Sequence, residues 1–292
     1  MKIIMLAAGK GSRLMPLTAN TPKMLVDLGS GKTLIETQLE NIEKSGVIEE
    51  VVIVVGYCGE QIEAKLKNYR GKLKIKTVFN PLYEVSNNLI TLWMAKHEMN
   101  GDFMITNGDN IFAPEVFSNL ASNKKEIFVT TRKKSKYFDD DMKVIINNEI
   151  VERISKSIKN EESNAESVGL VLVSGEKSIS AFKVNMEELV RDTSYTHKFW
   201  LEIFNKMSEK CIPINYFEIS GENKWFEVDF HGDMAEILKL YREYNIKNLE
   251  TFGIKKEVSN PDLESISNEI KTANFNLEGN PFVKDKLKTE KI

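Results

Sequence analysis

The sequence predicts an α/β protein: an open, mostly parallel sheet flanked by helices, with a small antiparallel lid on its ligand side. Three observations carry this. Short β-branched runs alternate with segments of helical apolar spacing through the first half. Two polar clusters, one beginning at Gly9 and one at Asn107, directly follow strand-like runs, where ligands bind in such sheets. The second half then changes to shorter, alternating segments that suit hairpins.

Residues 2–8 (KIIMLAA) are an apolar strand. Residues 33–45 (TLIETQLENIEKS) have helical spacing, and Gly46 follows as a stop. Residues 50–55 (EVVIVV) read as a buried parallel strand. Residues 61–69 are helical, 73–79 (LKIKTVF) alternate as a strand, and 87–99 are helical. Residues 103–106 form a strand that runs into Asn107-Gly108-Asp109-Asn110, and 127–131 form another. Residues 142–154 (MKVIINNEIVERI) read as a hairpin turning at Asn147-Asn148. Beyond it come a strand at 167–173, helices at 178–190 and 196–207, strands at 214–219 and 225–228, and a closing helix at 234–244. Residues 1–245 therefore read as one domain, with lid elements at about 134–225. The polar tail, 246–292, carries a candidate helix at 260–271 and reads as peripheral, with an oligomerisation arm or a linker as the alternative.

Composition narrows the function classes. The chain has 292 residues, a net charge of -3 and a pI near 5.9, which argues against a broad nucleic-acid-binding face. No apolar run approaches a membrane span, and no signal peptide is evident, so a cytoplasmic protein is expected. The two cysteines, Cys58 and Cys211, lack metal-ligand spacing and read as reduced, buried thiols. A homodimer is compatible with the sequence and not required by it.

Two glycine–lysine stretches compete for a phosphate. Gly31-Lys32-Thr33 imitates the end of a P-loop, but Val26 stands where the first glycine is needed. It reads instead as a turn leading into the helix at 33–45. The stronger stretch is LAAGKGSRLMPLTANTPKMLV, residues 6–26. Gly9 and Gly11 allow backbone N–H groups to approach phosphate closely. Arg13 offers a planar fork and Lys23 a point charge, with Pro16 and Pro22 stiffening the loop between them.

This stretch resembles the signature of the nucleotidyltransferases that act on sugar phosphates and small alcohol phosphates. The resemblance implies a Rossmann-like fold that transfers a nucleoside monophosphate from an NTP to a phosphorylated acceptor and releases pyrophosphate. Leu6, Ala7, Ala8, Gly9, Gly11, Ser12 and Arg13 would line the nucleotide, with Arg13 and Lys23 as the catalytic cations. Asp109 resembles the family's Gly-Asp metal position, and Trp225-Phe226-Glu227-Val228-Asp229 its late acidic segment. In a strand Glu227 and Asp229 share a face. Asp109 and Asp229 are the expected Mg²⁺ ligands, with Glu227 in reserve.

The segment Tyr83-Glu84-Val85-Ser86-Asn87-Asn88 resembles the choline-phosphate and 2-aminoethylphosphonate cytidylyltransferases, as do Asp140–Val144, Ala165–Gly169 and Phe199–Glu202. The resemblance spans roughly residues 1–245. Ser86, Asn87 and Asn88 are expected at the cytosine, though the first two also suit a helix cap. Asp141, Glu166, Trp200 and Glu202 are expected around a cationic acceptor, with Lys143 on its phosphate. The expected activity is Mg²⁺-dependent transfer of CMP from CTP to choline phosphate or 2-aminoethylphosphonate. A sugar-1-phosphate nucleotidyltransferase using UTP, dTTP or GTP and a non-catalytic nucleotide sensor are the alternatives.

Overall fold

The computed structural model describes residues 1–27, 31–123, 126–220 and 224–229. The chain divides into units Met1–Asp229 and Phe230–Ile292, and every described residue lies in the first. The expected helices at 234–244 and 260–271 and the tail lie outside the described residues.

Most of the first half builds as its periodicity predicts, though the strand at 110–112 and the helix at 114–121 were not expected and the helix expected over 87–99 ends at Met94. Strand β1 (Lys2–Ala7) precedes α1 (Leu34–Lys44), β2 (Glu50–Val55), α2 (Gly59–Leu66), β3 (Lys74–Phe79), α3 (Asn88–Met94) and β4 (Phe103–Asn107). Strand β5 (Asn110–Phe112), helix α4 (Pro114–Ala121) and β6 (Ile127–Arg132) follow. Gly46 ends α1 at a φ of 70°, a backbone geometry that favours glycine. The hairpin is β7 (Lys143–Asn147) and β8 (Ile150–Ser155); its turn falls on Asn148-Glu149, both at positive φ, one residue later than expected. Then come β9 (Ala165–Val173), α5 (Glu176–Arg191), α6 (Glu202–Glu209), β10 (Asn215–Glu218) and β11 (Trp225–Glu227).

The main sheet runs β10-β6-β9-β4-β1-β2-β3, with the β7–β8 hairpin joined through β9. Strands β4, β1, β2 and β3 pair in parallel, while β9 runs antiparallel to β4 and β6 on either side. The segment at 167–173 is thus a central strand and not part of a lid. All nine residues of β9 are buried, as expected of a strand covered on both faces. Ile4, Leu6, Val52, Val54, Phe103 and Ile105 pack beneath α3, α5 and α6. Ile3, Met5, Val51 and Ile53 alternate to the other face and are equally buried. The second sheet pairs β11 with β5, antiparallel.

Two details differ from the sequence reading. Residues 196–201 are not one helix with 202–207; α6 begins at Glu202. Neither cysteine is fully buried: Cys211 is exposed, Cys58 is half-buried, and both are free. Among the described residues no helix is long and apolar enough to cross a membrane.

Candidate active site

The carboxyl ends of β1 and β4 lie side by side, and the site grows from them. Leu6 O accepts from Gly108 N at 2.8 Å, and Ala8 O accepts from Tyr57 N at 3.0 Å, so the start of the glycine loop is fixed on both flanks. Gly11 has a φ of 62°, and a Cβ there would lie 3.1 Å from Cβ of Lys23. That close approach folds the loop back on itself and brings Arg13 and Lys23 to one place. A Cβ on Gly9 would meet open space, so packing alone does not demand that glycine.

The carboxylates arrive from two sheets. Asp109 stands in the turn between β4 and β5. Because β11 pairs with β5, Asp229 follows just beyond; Val228 N donates to Asp109 O at 2.8 Å. Lys23 Nζ lies 3.1 Å from Asp109 and 3.7 Å from Asp229, and Arg13 pairs with Asp229. Asp109 Oδ1 is buried without a hydrogen-bond partner. Glu227 is open to solvent on one side. Loss of water on the other, and then the charges of Asp109 and Asp229, push its carboxyl up to about 7. An unsatisfied buried carboxylate oxygen amid crowded negative charge fits a hard divalent cation such as Mg²⁺. Among the described residues no three His, Cys, Asp or Glu side chains form a complete metal cage. A cation at this site would draw further ligands from phosphate and water.

The decoy stretch is elsewhere. Lys32 pairs with Glu40 at 2.6 Å, and Thr33 N and Oγ1 both donate to Glu36, so this stretch caps α1.

Other expected site residues are engaged within the protein. Ser86 Oγ donates to Leu82 O. Asn87 caps α3 through Asn88 N and donates to His197 O, while Asn88 Oδ1 accepts from Trp200 N. Glu166 is 4% exposed and bound by Arg132 and Lys134, each at 2.5 Å. Asp141 also binds Lys134, at 2.9 Å. Lys143 is buried, donating to Phe138 O and Asp139 O, which orders the loop instead of facing a phosphate. Trp200 is a core residue, edge-on to Phe204, and its ring is not an open aromatic face. Glu202 accepts from Asn205, which also bonds both ways with Ile154 of β8.

Sequence reading missed Gln38, whose Nε2 donates to Gly108 O and Asn110 O, both at 2.8 Å, bracketing Asp109. A polar residue among the apolar positions of α1 was the available signal. Arg132 and Lys134 had none beyond their charge, while Asp140, which lies 3.8 Å from Arg13, fell in a segment that resembles the cytidylyltransferases but was given no role.

A model of the nucleotidyl transferase family matches residues 2–138. A CTP:phosphoglutamine cytidylyltransferase of Campylobacter jejuni is 30% identical over 258 residues, covering 80% of this chain and 98% of that protein. The chain belongs to the nucleotidyl transferase family. A second relative of this nucleotidyltransferase, a choline-phosphate cytidylyltransferase of Streptococcus pneumoniae, is 40% identical over 119 residues. That match covers 41% of this chain and about half of the relative, 49%. The nucleotidyltransferase fold also superposes on a CTP:phosphocholine cytidylyltransferase structure from Streptococcus pneumoniae. The TM-score is 0.66 at 23% identity, covering 82% of this chain and 98% of the other.

Proposed function

We propose that this nucleotidyltransferase transfers CMP from CTP to a small amine-bearing phospho-alcohol or phosphonate, such as choline phosphate or 2-aminoethylphosphonate, and releases pyrophosphate. The observation that carries it is the convergence of Arg13, Lys23, Asp109 and Asp229 at the carboxyl ends of β1 and β4. Two relatives named for cytidylyl transfer support CTP as the donor.

Asp109 and Asp229 would hold Mg²⁺, which supplies charge neutralisation on the triphosphate. Without a nucleotide, Lys23 and Arg13 are neutralised by the same carboxylates. A triphosphate would take over the two cations. The backbone of Gly9 and Gly11 would hold phosphate oxygens, and Leu6, Ala7, Ala8 and Ser12 would frame the nucleotide. An anionic acceptor oxygen attacks the α-phosphorus; the bond to the β-phosphate breaks and its electron pair leaves with pyrophosphate. The attacking oxygen carries no proton, so no general base is needed, and catalysis is alignment plus charge stabilisation. The ammonium of Lys134, held between Asp141 and Glu166, marks a place suited to the acceptor's cationic head, which would compete for it.

The test is pyrophosphate release from four NTPs against choline phosphate, 2-aminoethylphosphonate, ethanolamine phosphate, phosphoglutamine and glucose 1-phosphate. Turnover confined to CTP and one or more aminated acceptors is expected. Turnover with UTP or dTTP and the sugar phosphate would overturn the reading.

A further inference from the structure

The turn Asn107-Gly108-Asp109-Asn110 is held in an unusual way. The turn's backbone is held by Gln38, Leu6 and Val228, but among the described residues the Asp109 carboxylate itself meets Lys23 alone, on Oδ2, and Oδ1 has no hydrogen-bond partner. Its neighbours are clamped instead. Trp200 Nε1 donates to Asn107 Oδ1 at 2.9 Å, and Trp225 Nε1 donates to Asn110 Oδ1 at 3.0 Å. An indole N–H can only donate, so each bond sets which end of the amide faces the ring. Both amide nitrogens then point at Gly169. A Cβ there would lie 2.6 Å from Nδ2 of Asn110 and 2.7 Å from Nδ2 of Asn107, so only glycine admits them.

Trp200 is tied to a second part of the site. Its backbone N–H donates to Asn88 Oδ1 at 2.9 Å, and Asn87 N donates to Thr196 O at 2.9 Å. The stretch from Thr196 to Trp200 thus straps the start of α3 to the Asp109 turn. Its ring is fully buried, which leaves no face for an acceptor.

We infer that Trp200 is a positioning residue: its indole N–H, acting through Asn107, orients the Asp109 carboxylate for the divalent cation. This rests on Asp109 being a metal ligand. Groups outside the ligands that orient them set how well a metal is held, and losing one typically weakens metal affinity by about 10- to 100-fold.

The experiment measures Mn²⁺ binding by electron paramagnetic resonance, with α,β-methylene-CTP present, for wild type, Trp200→Phe, Asn107→Ala, the double variant and Asp109→Ala. Trp200→Phe removes the N–H and keeps most of the ring; circular dichroism checks the fold. We expect its Mn²⁺ Kd to rise about tenfold, with metal-free binding of the analogue unchanged. Asn107→Ala should lose a similar amount, and the double variant no more than either, because both break one bond. It also reads the bond from its other side if Trp200→Phe fails to fold. Wild-type Mn²⁺ affinity in Trp200→Phe, with affinity lost in Asp109→Ala, overturns the inference. Wild-type affinity in Asp109→Ala overturns the metal reading beneath it.

Discussion

Single residues separate chemistry from support at this site. Asp109 contributes a buried, unsatisfied oxygen next to Lys23. Asp109→Ala should therefore lower kcat with Mg²⁺ by about 100-fold or more, measured as pyrophosphate release, while the fold persists. Glu166 differs, because its two cations depend on it. Glu166→Gln leaves Arg132 and Lys134 short of a partner and should destabilise the protein by about 1–3 kcal/mol, read by urea unfolding. Gly169→Ala meets two costs, a φ of 73° and contact with both asparagine amides. It should lose about 1–3 kcal/mol of stability, together with activity, because the Asp109 turn has to move. Asp109 was legible in the sequence because it follows a strand. The burial of Trp200 and Lys143 was not, because a tryptophan or lysine reads the same in a core as in a pocket.

At the scale of elements, α1 decides the fate of the second glycine–lysine stretch. Thr33 and Glu36 begin the helix, and Lys32 lies along it against Glu40. Thr33→Ala should cost about 1 kcal/mol and Lys32→Ala almost nothing, and neither should change kcat; loss of turnover in Lys32→Ala would revive the P-loop reading. Against the upward push of lost hydration, Lys65 and Thr33 hold the Glu36 carboxyl down to about 2 from an ordinary 4.5. A depressed carboxylate stabilises fully above its unfolded value and loses that contribution as pH falls through the folded one. The stability gap between wild type and Glu36→Gln should thus close between about pH 4.5 and 2, followed by unfolding titrations. Most helices and strands of the first half were legible from their periods, but β5 and α4 were not. Strand β9 was legible as a strand but not by its place, since its pairing with β4 and β6 joins residues 34 or more positions apart. The segment at 196–201 carried helical spacing, yet Asn87 and Asn88 claim its backbone groups.

For the whole molecule, the site joins β1, the turn after β4, and β11 with the residues beyond it, so a nucleotide that bridges them should stabilise the fold cooperatively. CTP with Mg²⁺ at 100 times its Kd should add about 2.7 kcal/mol, seen as a rise in Tm, with UTP giving less. The sequence by itself determined the parallel half of the sheet and, through its resemblance to a known signature, the nucleotidyltransferase class, because strand periods, glycine loops and strand-end carboxylates are local signals. Only the tertiary structure decided which charges are already paired and which tryptophans are buried. It also placed Gly169 against two asparagines. Those facts depend on chain segments meeting across the sheet, and no local spacing encodes which side chain will fill or neutralise another.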